Sequence, residues 1–254
     1  MVALCKGVDL SRHNGNVDFE KVKKAGYDFA ILRAGYRQSP DPKFEQYYYD
    51  ATSAGVMVGA YWFTYTNTPV GAEKEAKACI EYLKNKKFDY PIYYDLEDDA
   101  SQGSYPLKTG QANCSAMVEA FCKTVQNAGY WAGFYTSKSV LTTHITPEVA
   151  NKYAVWVAQW AQQCTYTGQY GLWQRSDKGN VDGINGNVDI DIAYIDYPKL
   201  IRQKGLNGYS KSTQTETEQH KTFYRVYIDK EFSTKADADM VAGLINGKVS
   251  KVII

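Results

Sequence analysis

The chain has 254 residues, of which 44% are hydrophobic and 22% charged, with a formal net charge of +1. That length holds one large domain, or one domain and a small appendage. The near-neutral balance excludes a strong field for nucleic acid or an anionic membrane surface, and no apolar run of the roughly 18 residues a transmembrane helix needs occurs in the sequence. Residues 3–10, ALCKGVDL, read as the first strand. The opening MVALCKGVDL lacks the basic region, long apolar region and small-residue cleavage site of a secretory signal. Synthesis in a cytoplasm without a signal peptide is therefore expected. A helix over 18–25 opens on an acid, a strand follows at 29–34, and a helix over 43–54 stops at Gly55. After a strand at 57–64, residues 70–86 carry Ala72, Ala76, Cys79, Ile80 and Leu83 at helical spacing. Strands are predicted at 92–97, 131–135, 154–158, 170–174 and 187–190, with a helix over 109–128 and a last helix or exit segment over 198–205.

Several of these strands are apolar on both faces, as in FAIL and VMVGAYWF, which suits parallel strands covered by helices. The repeated strand–helix order predicts a parallel α/β architecture. Eight strands with at least four clear helices favour a barrel over an open sheet, irregular in its last third, where the links are short. Beyond residue 200 the character changes. Residues 207–222, NGYSKSTQTETEQHKT, are polar and aperiodic, and a strand–helix–strand unit follows that is too small to bury a core alone. The expected division is a barrel over 1–200, a linker over 201–222 and a small unit over 223–254 that docks on the barrel or pairs with a second copy.

The stretch PIYYDLEDD (91–99) places four acids after an apolar aromatic run. On a strand Asp95 and Glu97 share one face, with Cα atoms roughly 6–7 Å apart, and paired carboxylates shift each other's pKa. In a parallel barrel the site lies at the C-terminal strand ends. Those ends carry Asp9, Arg33, Tyr61 and Phe63, Asp95 and Glu97, Tyr135, Gln159 and Trp160, Trp173 and Gln174, and Asp189 and Asp191. Acids, amides and aromatic rings without a histidine or cysteine pair fit glycoside hydrolysis better than thiol or zinc chemistry. Taken singly each signal is weak: Asp9 serves equally as a turn or cap residue, Arg33 as an ion-pair partner, Trp160 and Trp173 as core. Five unpaired, unpatterned cysteines read as reduced thiols. GVDLSRHNG does not match a dinucleotide fingerprint, so neither cofactor nor metal is expected. The 22 tyrosines suit sugar-facing surfaces, or simply core and rim.

GVDLSRHNGNVDF (7–19), AILRAGY (30–36), GAYWF (59–63), YYDLED (93–98), GFYTS (133–137), VWVAQW (155–160), LWQRS (172–176) and GINGNVDID (183–191) occur in order. In that order the chain resembles glycoside hydrolase family 25 lysozymes over residues 3–197. The resemblance implies an irregular, TIM-like β/α barrel of about eight strands and five helices. It also implies N-acetylmuramidase action on the β-1,4 bond between N-acetylmuramic acid and N-acetylglucosamine of peptidoglycan, as in an endolysin or autolysin. By motif match Glu97 is the general acid, its pKa raised with help from Asp95. Asp95 supports the substrate's 2-acetamido group, which attacks the anomeric carbon itself, and Asp9 and Asp189 complete an acidic floor. Arg33, Tyr61, Tyr135, Trp160 and Gln174 carry over as substrate-lining positions. The family commonly has His where this chain has Trp62, and Asn where it has Asp191, so Trp62 stacks on sugar or is packed, and Asp191 stands in reserve to Asp189. The stretch FYRVYIDKEFSTKADADMVAGLI (223–245) loosely resembles half of a SPOR-type repeat, which implies glycan-strand binding or self-association. The alternatives are a chitinase-like glycosidase and a wall-binding protein of little or no activity.

Overall fold

Alternating apolar strands and helices wind into a closed barrel in the computed structural model, which describes residues 2–211. In chain order the elements are β1 (Cys5–Leu10), α1 (Phe19–Lys24), β2 (Phe29–Tyr36), β3 (Ser39–Pro40), α2 (Phe44–Ser53), β4 (Met57–Phe63), α3 (Pro69–Leu83), β5 (Ile92–Asp95), α4 (Gln111–Asn127), β6 (Ala132–Ser137), α5 (Lys138–Thr143), α6 (Pro147–Lys152), β7 (Ala154–Ala158), β8 (Leu172–Gly179), β9 (Val188–Ala193) and α7 (Tyr197–Lys204). Helix starts follow side-chain chemistry. Asp18 accepts from Lys21 N, and Thr68, ahead of Pro69, accepts from Gly71 N. The ring order is β1-β9-β8-β7-β6-β5-β4-β2, closed by pairing of β1 with β2, and β3 is an added edge hairpin on β2.

The expected all-parallel arrangement holds around the ring up to β8. β9 runs antiparallel to both β8 and β1. The cause is length. A parallel return needs a crossover of about a dozen residues or more. The link 180–187 is shorter than that and turns on Gly183 and Gly186, both at positive φ. This reversal decides which part of β9 reaches the barrel mouth.

Strand alternation sorts the core into two layers. Val8, Leu32, Val58, Trp62, Tyr94, Phe134 and Val157 face outward into the layer beneath the helices. Phe29, Ile31, Tyr61, Tyr93, Tyr135, Trp156 and Leu172 face the lumen. Large rings fit there because small residues sit beside them. A Cβ on Gly133 would lie 2.7 Å from the Tyr93 ring, and one on Gly59 would lie 2.7 Å from Ile31 Cδ1. The lumen is thus a packed core below and a polar cleft only at its top.

The N-terminal end of the barrel is closed by residues that the polar composition had marked for the linker. Ile201 is buried within α7, and Asn207 is 0% exposed in a left-handed conformation (φ 56°). Its Nδ2 donates to Phe88 O (3.1 Å) and Tyr90 O (2.8 Å), and its Oδ1 accepts from Trp131 N (2.6 Å). Arg202 and the Tyr209 hydroxyl both donate to Asp89 Oδ1. The folded body therefore runs past residue 200, and 201–211 belong to it. Residues 212–222 and the small unit 223–254 lie outside the described residues. Asn207→Ala would strand two buried carbonyls and one N–H, at about 3 kcal/mol or more. The expected result is a melting temperature lower by roughly 10 °C, read by thermal unfolding followed by circular dichroism.

Candidate active site

The acids of PIYYDLEDD divide by strand parity. β5 ends at Asp95, but Leu96 N donates to Tyr135 O (3.0 Å) and Thr136 Oγ1 donates to Leu96 O (2.7 Å). These bonds carry the extended path one residue further, so Glu97 returns to the lumen side above Asp95. Asp98 and Asp99 serve structure instead. Asp98 Oδ1 accepts from Leu107 N (3.0 Å), while Asp99 caps a short 3-10 helix and accepts from the Tyr65 hydroxyl (2.7 Å).

A cleft of about 170 Å³ at the barrel mouth is lined by Asp9, Asp95, Glu97 and Asp189, with Arg33 and Gln174 beside them and Tyr61, Phe63, Tyr135 and Trp156 as aromatic walls. Eight of the eleven candidate residues meet here. Register explains the acidic floor, because Asp9 pairs directly with Asp189 across β1 and β9, and Asp95 lies level with Phe63 and Tyr135. Gln174 ties the floor together. Its Oε1 accepts from Tyr135 Oη (2.9 Å) and Trp160 Nε1 (3.1 Å), which leaves its Nε2 to donate to Asp9 Oδ2 (2.8 Å).

The other three candidates stand elsewhere. Trp62 is a correction: it is 0% exposed on the outward face of β4, stacked on Tyr82, with Nε1 donating to Arg37 O (3.2 Å). Odd-numbered β4 residues face the lumen, so Trp62 cannot touch a ligand there. Asp191 is likewise below the cleft rather than in it. Because β9 descends, its first acid, Asp189, is at the mouth, while Asp191 pairs level with Gly7, 0% exposed, and accepts from Trp156 Nε1 (2.8 Å). Trp160 is 61% exposed and touches the site through Gln174 at the rim. The sequence placed Phe63 at its strand end without a role, two residues after Tyr61, and passed over Trp156, which faces the lumen from β7. It also passed over Asp41, which is buried and accepts from Arg33 Nε (2.7 Å). No periodic signal marks that residue, since it lies in the loop after β3.

Burial governs the electrostatics. It pushes Glu97 up to about 7, helped by the charges of Asp189, Asp99 and Asp98. Asp95 is raised by burial first and by the charge of Glu97 second, against the pull of Arg33, so the two carboxyls titrate as an interacting pair. Asp189 rises to about 6, chiefly through burial. Asp9 is held well above the carboxylate range by burial, Asp189 and Asp191. Two polar atoms at this floor, Asp95 Oδ1 and Arg33 Nη2, are buried without a hydrogen-bond partner among the described residues. Orphaned groups of this kind are uncommon in folded proteins and concentrate at functional sites. Among the described residues no group of three His, Cys, Asp or Glu side chains is placed to hold a metal ion.

Proton-holding carboxyls facing aromatic walls at the mouth of a β/α barrel define a carboxylate glycoside hydrolase. Glycosyl hydrolases family 25 matches residues 8–184. Over 194 residues the chain is 26% identical to the uncharacterised protein YegX of Escherichia coli K12, covering 73% of this chain and 68% of that one. It is 25% identical over 188 residues to the autolytic lysozyme of Clostridium acetobutylicum, covering 73% and 55%. The structure of the modular autolysin LytC of Streptococcus pneumoniae, in complex with a synthetic peptidoglycan ligand, superposes with a TM-score of 0.69 at 28% identity, over 75% of this chain and 46% of that one. The chain thus spans about half the length of the last two. It belongs to glycosyl hydrolases family 25 and is a glycoside hydrolase of the lysozyme type.

Proposed function

We propose that the chain hydrolyses the β-1,4 bond between N-acetylmuramic acid and N-acetylglucosamine in bacterial peptidoglycan, acting at the cell wall. The observation that carries the assignment of roles is the pairing of a carboxyl that keeps its proton to about pH 7, Glu97, with a buried carboxyl oxygen that has no hydrogen-bond partner among the described residues, Asp95 Oδ1, on the same side of one strand path. Glu97 donates its proton to the departing glycosidic oxygen. Asp95 Oδ1 accepts from the N–H of the substrate's acetamido group, turning the acetamido oxygen toward the anomeric carbon. That oxygen attacks, the C–O bond to the leaving sugar breaks, and water later opens the cyclic intermediate with Glu97 as base. Asp189, raised only to about 6, supplies negative potential beneath the cationic transition state, and Gln174 holds Asp9 beside it. Tyr61, Tyr135, Phe63 and Trp156 present faces to the sugar rings, and Trp160 lines the rim. Residues 223–254 read, on the same view, as a wall-binding or self-associating unit whose removal spares the chemistry.

Digestion of purified cell walls followed by mass analysis of the fragments tests the reading. Muramic acid reducing ends are expected. N-acetylglucosamine ends, free peptides, no fragments, or cleavage of chitin oligomers without cleavage of walls would each overturn it. The pH profile follows from the acid. Glu97 must be protonated to act, so kcat/KM is expected to fall as pH rises through about 7, measured on soluble glycan strands.

A further inference from the structure

A second feature adjoins the cleft and has no part in bond cleavage. Arg33 lines the cleft on one side and a hollow of about 220 Å³ on the other, shared with Arg12, Tyr36, Arg37 and Tyr65. From Arg37 and Tyr65 a further hollow of about 310 Å³ continues past Lys74 toward the start of α3. The three spaces adjoin through shared lining residues, Arg33 between the first two and Arg37 and Tyr65 between the outer two, and together make a trough beside the cleft. We propose that this trough binds the carboxylates of the peptide stem carried on the lactyl group of muramic acid, so that the enzyme prefers stem-bearing glycan; the proposal rests on the muramidase reading above.

Arg33 is neutralised by Asp41, but two further arginines of the trough are not in ion pairs among the described residues. Among the described residues the arginines in ion pairs are Arg33 and Arg202, so Arg12 and Arg37 have no carboxylate partner there. Arg12 Nη1 donates to the Tyr36 hydroxyl (2.5 Å), with the guanidinium 5.1 Å from that ring's centroid, and the Arg37 guanidinium lies 4.3 Å from the Tyr65 centroid. The ring contact restrains Arg37 while leaving its N–H edge for a carboxylate, and Arg12 keeps N–H groups beyond the one given to Tyr36. Asp99 lines the middle hollow and Glu75 the outer one, and each acid nearby is hydrogen-bonded to protein groups. Asp41 accepts from Arg33 Nε, Arg12 N and Lys43 N. Asp99 accepts from Ser101 and Tyr65. Glu75 accepts from Thr64 Oγ1 and Tyr65 N. His13 adds no positive charge at neutral pH, because burial and then Arg33 and Arg12 push it below its ordinary range.

Backbone strain points the same way. Arg37 has φ 54° in the two-residue turn between β2 and β3, where Asn or Gly would sit without penalty. A side chain in that conformation costs about 1 kcal/mol. The turn is held by the bond from Trp62 Nε1 to Arg37 O. The strained position aims a cation over Tyr65 at the junction of the two outer hollows. Local rules are broken in this way chiefly where a ligand is met. A peptide stem carries several carboxylates along an extended backbone, which matches a trough with cations spaced along it. Phosphate of a wall polymer on the same glycan offers similar anionic chemistry, and the substrates below separate the two.

The test uses the full chain and soluble glycan strands of one length, freed of phosphate polymers, in three forms: with stems, stripped of stems by an amidase, and with stem carboxylates converted to amides. Wild type is expected to show kcat/KM about tenfold higher on stem-bearing than on stripped or amidated strands, the worth of one charge-assisted contact, and chiefly through KM. Arg12→Gln and Arg37→Gln are expected to bring the ratio toward one, with melting temperatures compared to confirm folding. A wild-type ratio of one on all three substrates, or an unchanged ratio in both variants, would overturn the proposal while leaving the muramidase reading intact. A preference restored only when phosphate polymers are left on the glycan would also overturn it. Failure to cleave any of the three would remove the muramidase reading and this proposal together.

Discussion

Glu97→Gln is expected to release reducing ends from purified walls about 10³-fold more slowly than wild type, with the loss in kcat, because a positioned general acid supplies roughly 10²–10⁴ in rate. Gln keeps the shape and the hydrogen-bonding reach of the side chain but has no proton to give. The variant is also expected to be the more stable protein at alkaline pH, and the sign can be worked out. Folded Glu97 holds its proton to about 7, whereas an unfolded Glu releases it near about 4.3. Between those values the folded chain binds the extra proton, so stability falls as pH rises across the window. At pH 8 the charged, mostly buried carboxylate costs the fold on the order of 2 kcal/mol. Gln removes that charge. Thermal melts should place the variant several degrees above wild type at pH 8, with the gap closing near pH 4, where wild-type Glu97 is neutral as well. A variant that lyses walls at the wild-type rate would remove Glu97 from its role. One that is inactive and also less stable at pH 8 would point to damage in the fold instead.

Asp95→Asn is expected to lower kcat by about 10²–10³, the usual effect of removing one preorganised electrostatic contact to the transition state. Asn can still offer an oxygen to the acetamido N–H, but it cannot ionise as the acetamido nitrogen becomes positive. The two variants separate on a second substrate. An aryl glycoside leaves as a stabilised phenolate and needs little protonation. Glu97→Gln should therefore recover most of its rate on that substrate, while Asp95→Asn should not, because acetamido attack is still required. Recovery by both, or by neither, would show that the two carboxyls do not divide the work as assigned. Asp95 Oδ1 has no hydrogen-bond partner among the described residues, and the charge of Glu97 raises Asp95, so these two groups form an interacting pair with distinct surroundings. That is the condition under which neighbouring carboxyls take different parts in one reaction.

The sequence alone carried the barrel, the ring of strand ends and the pairing of Asp95 with Glu97, because alternation along a strand is a local property: once residues 92–97 are read as extended, their shared face follows. The same parity could have separated Tyr61 and Phe63 from Trp62, since the rule needs only the strand and one residue known to face inward. Other features were settled by tertiary structure. Whether Asp189 or Asp191 reaches the mouth depends on the direction of β9, and that direction was imposed by a link too short for a crossover and by pairing on both edges. Asn207 reads as linker in a polar stretch, yet it closes the barrel through partners at Phe88, Tyr90 and Trp131. Asp41 and the stacked arginines acquire their meaning only from residues distant in the chain or brought together by a strained turn. Side-chain period is written locally and can be read from neighbours in the sequence; strand direction, hydrogen-bond partners and the burial that raises a carboxyl's pKa are set by contacts between segments far apart, which only the folded chain brings together.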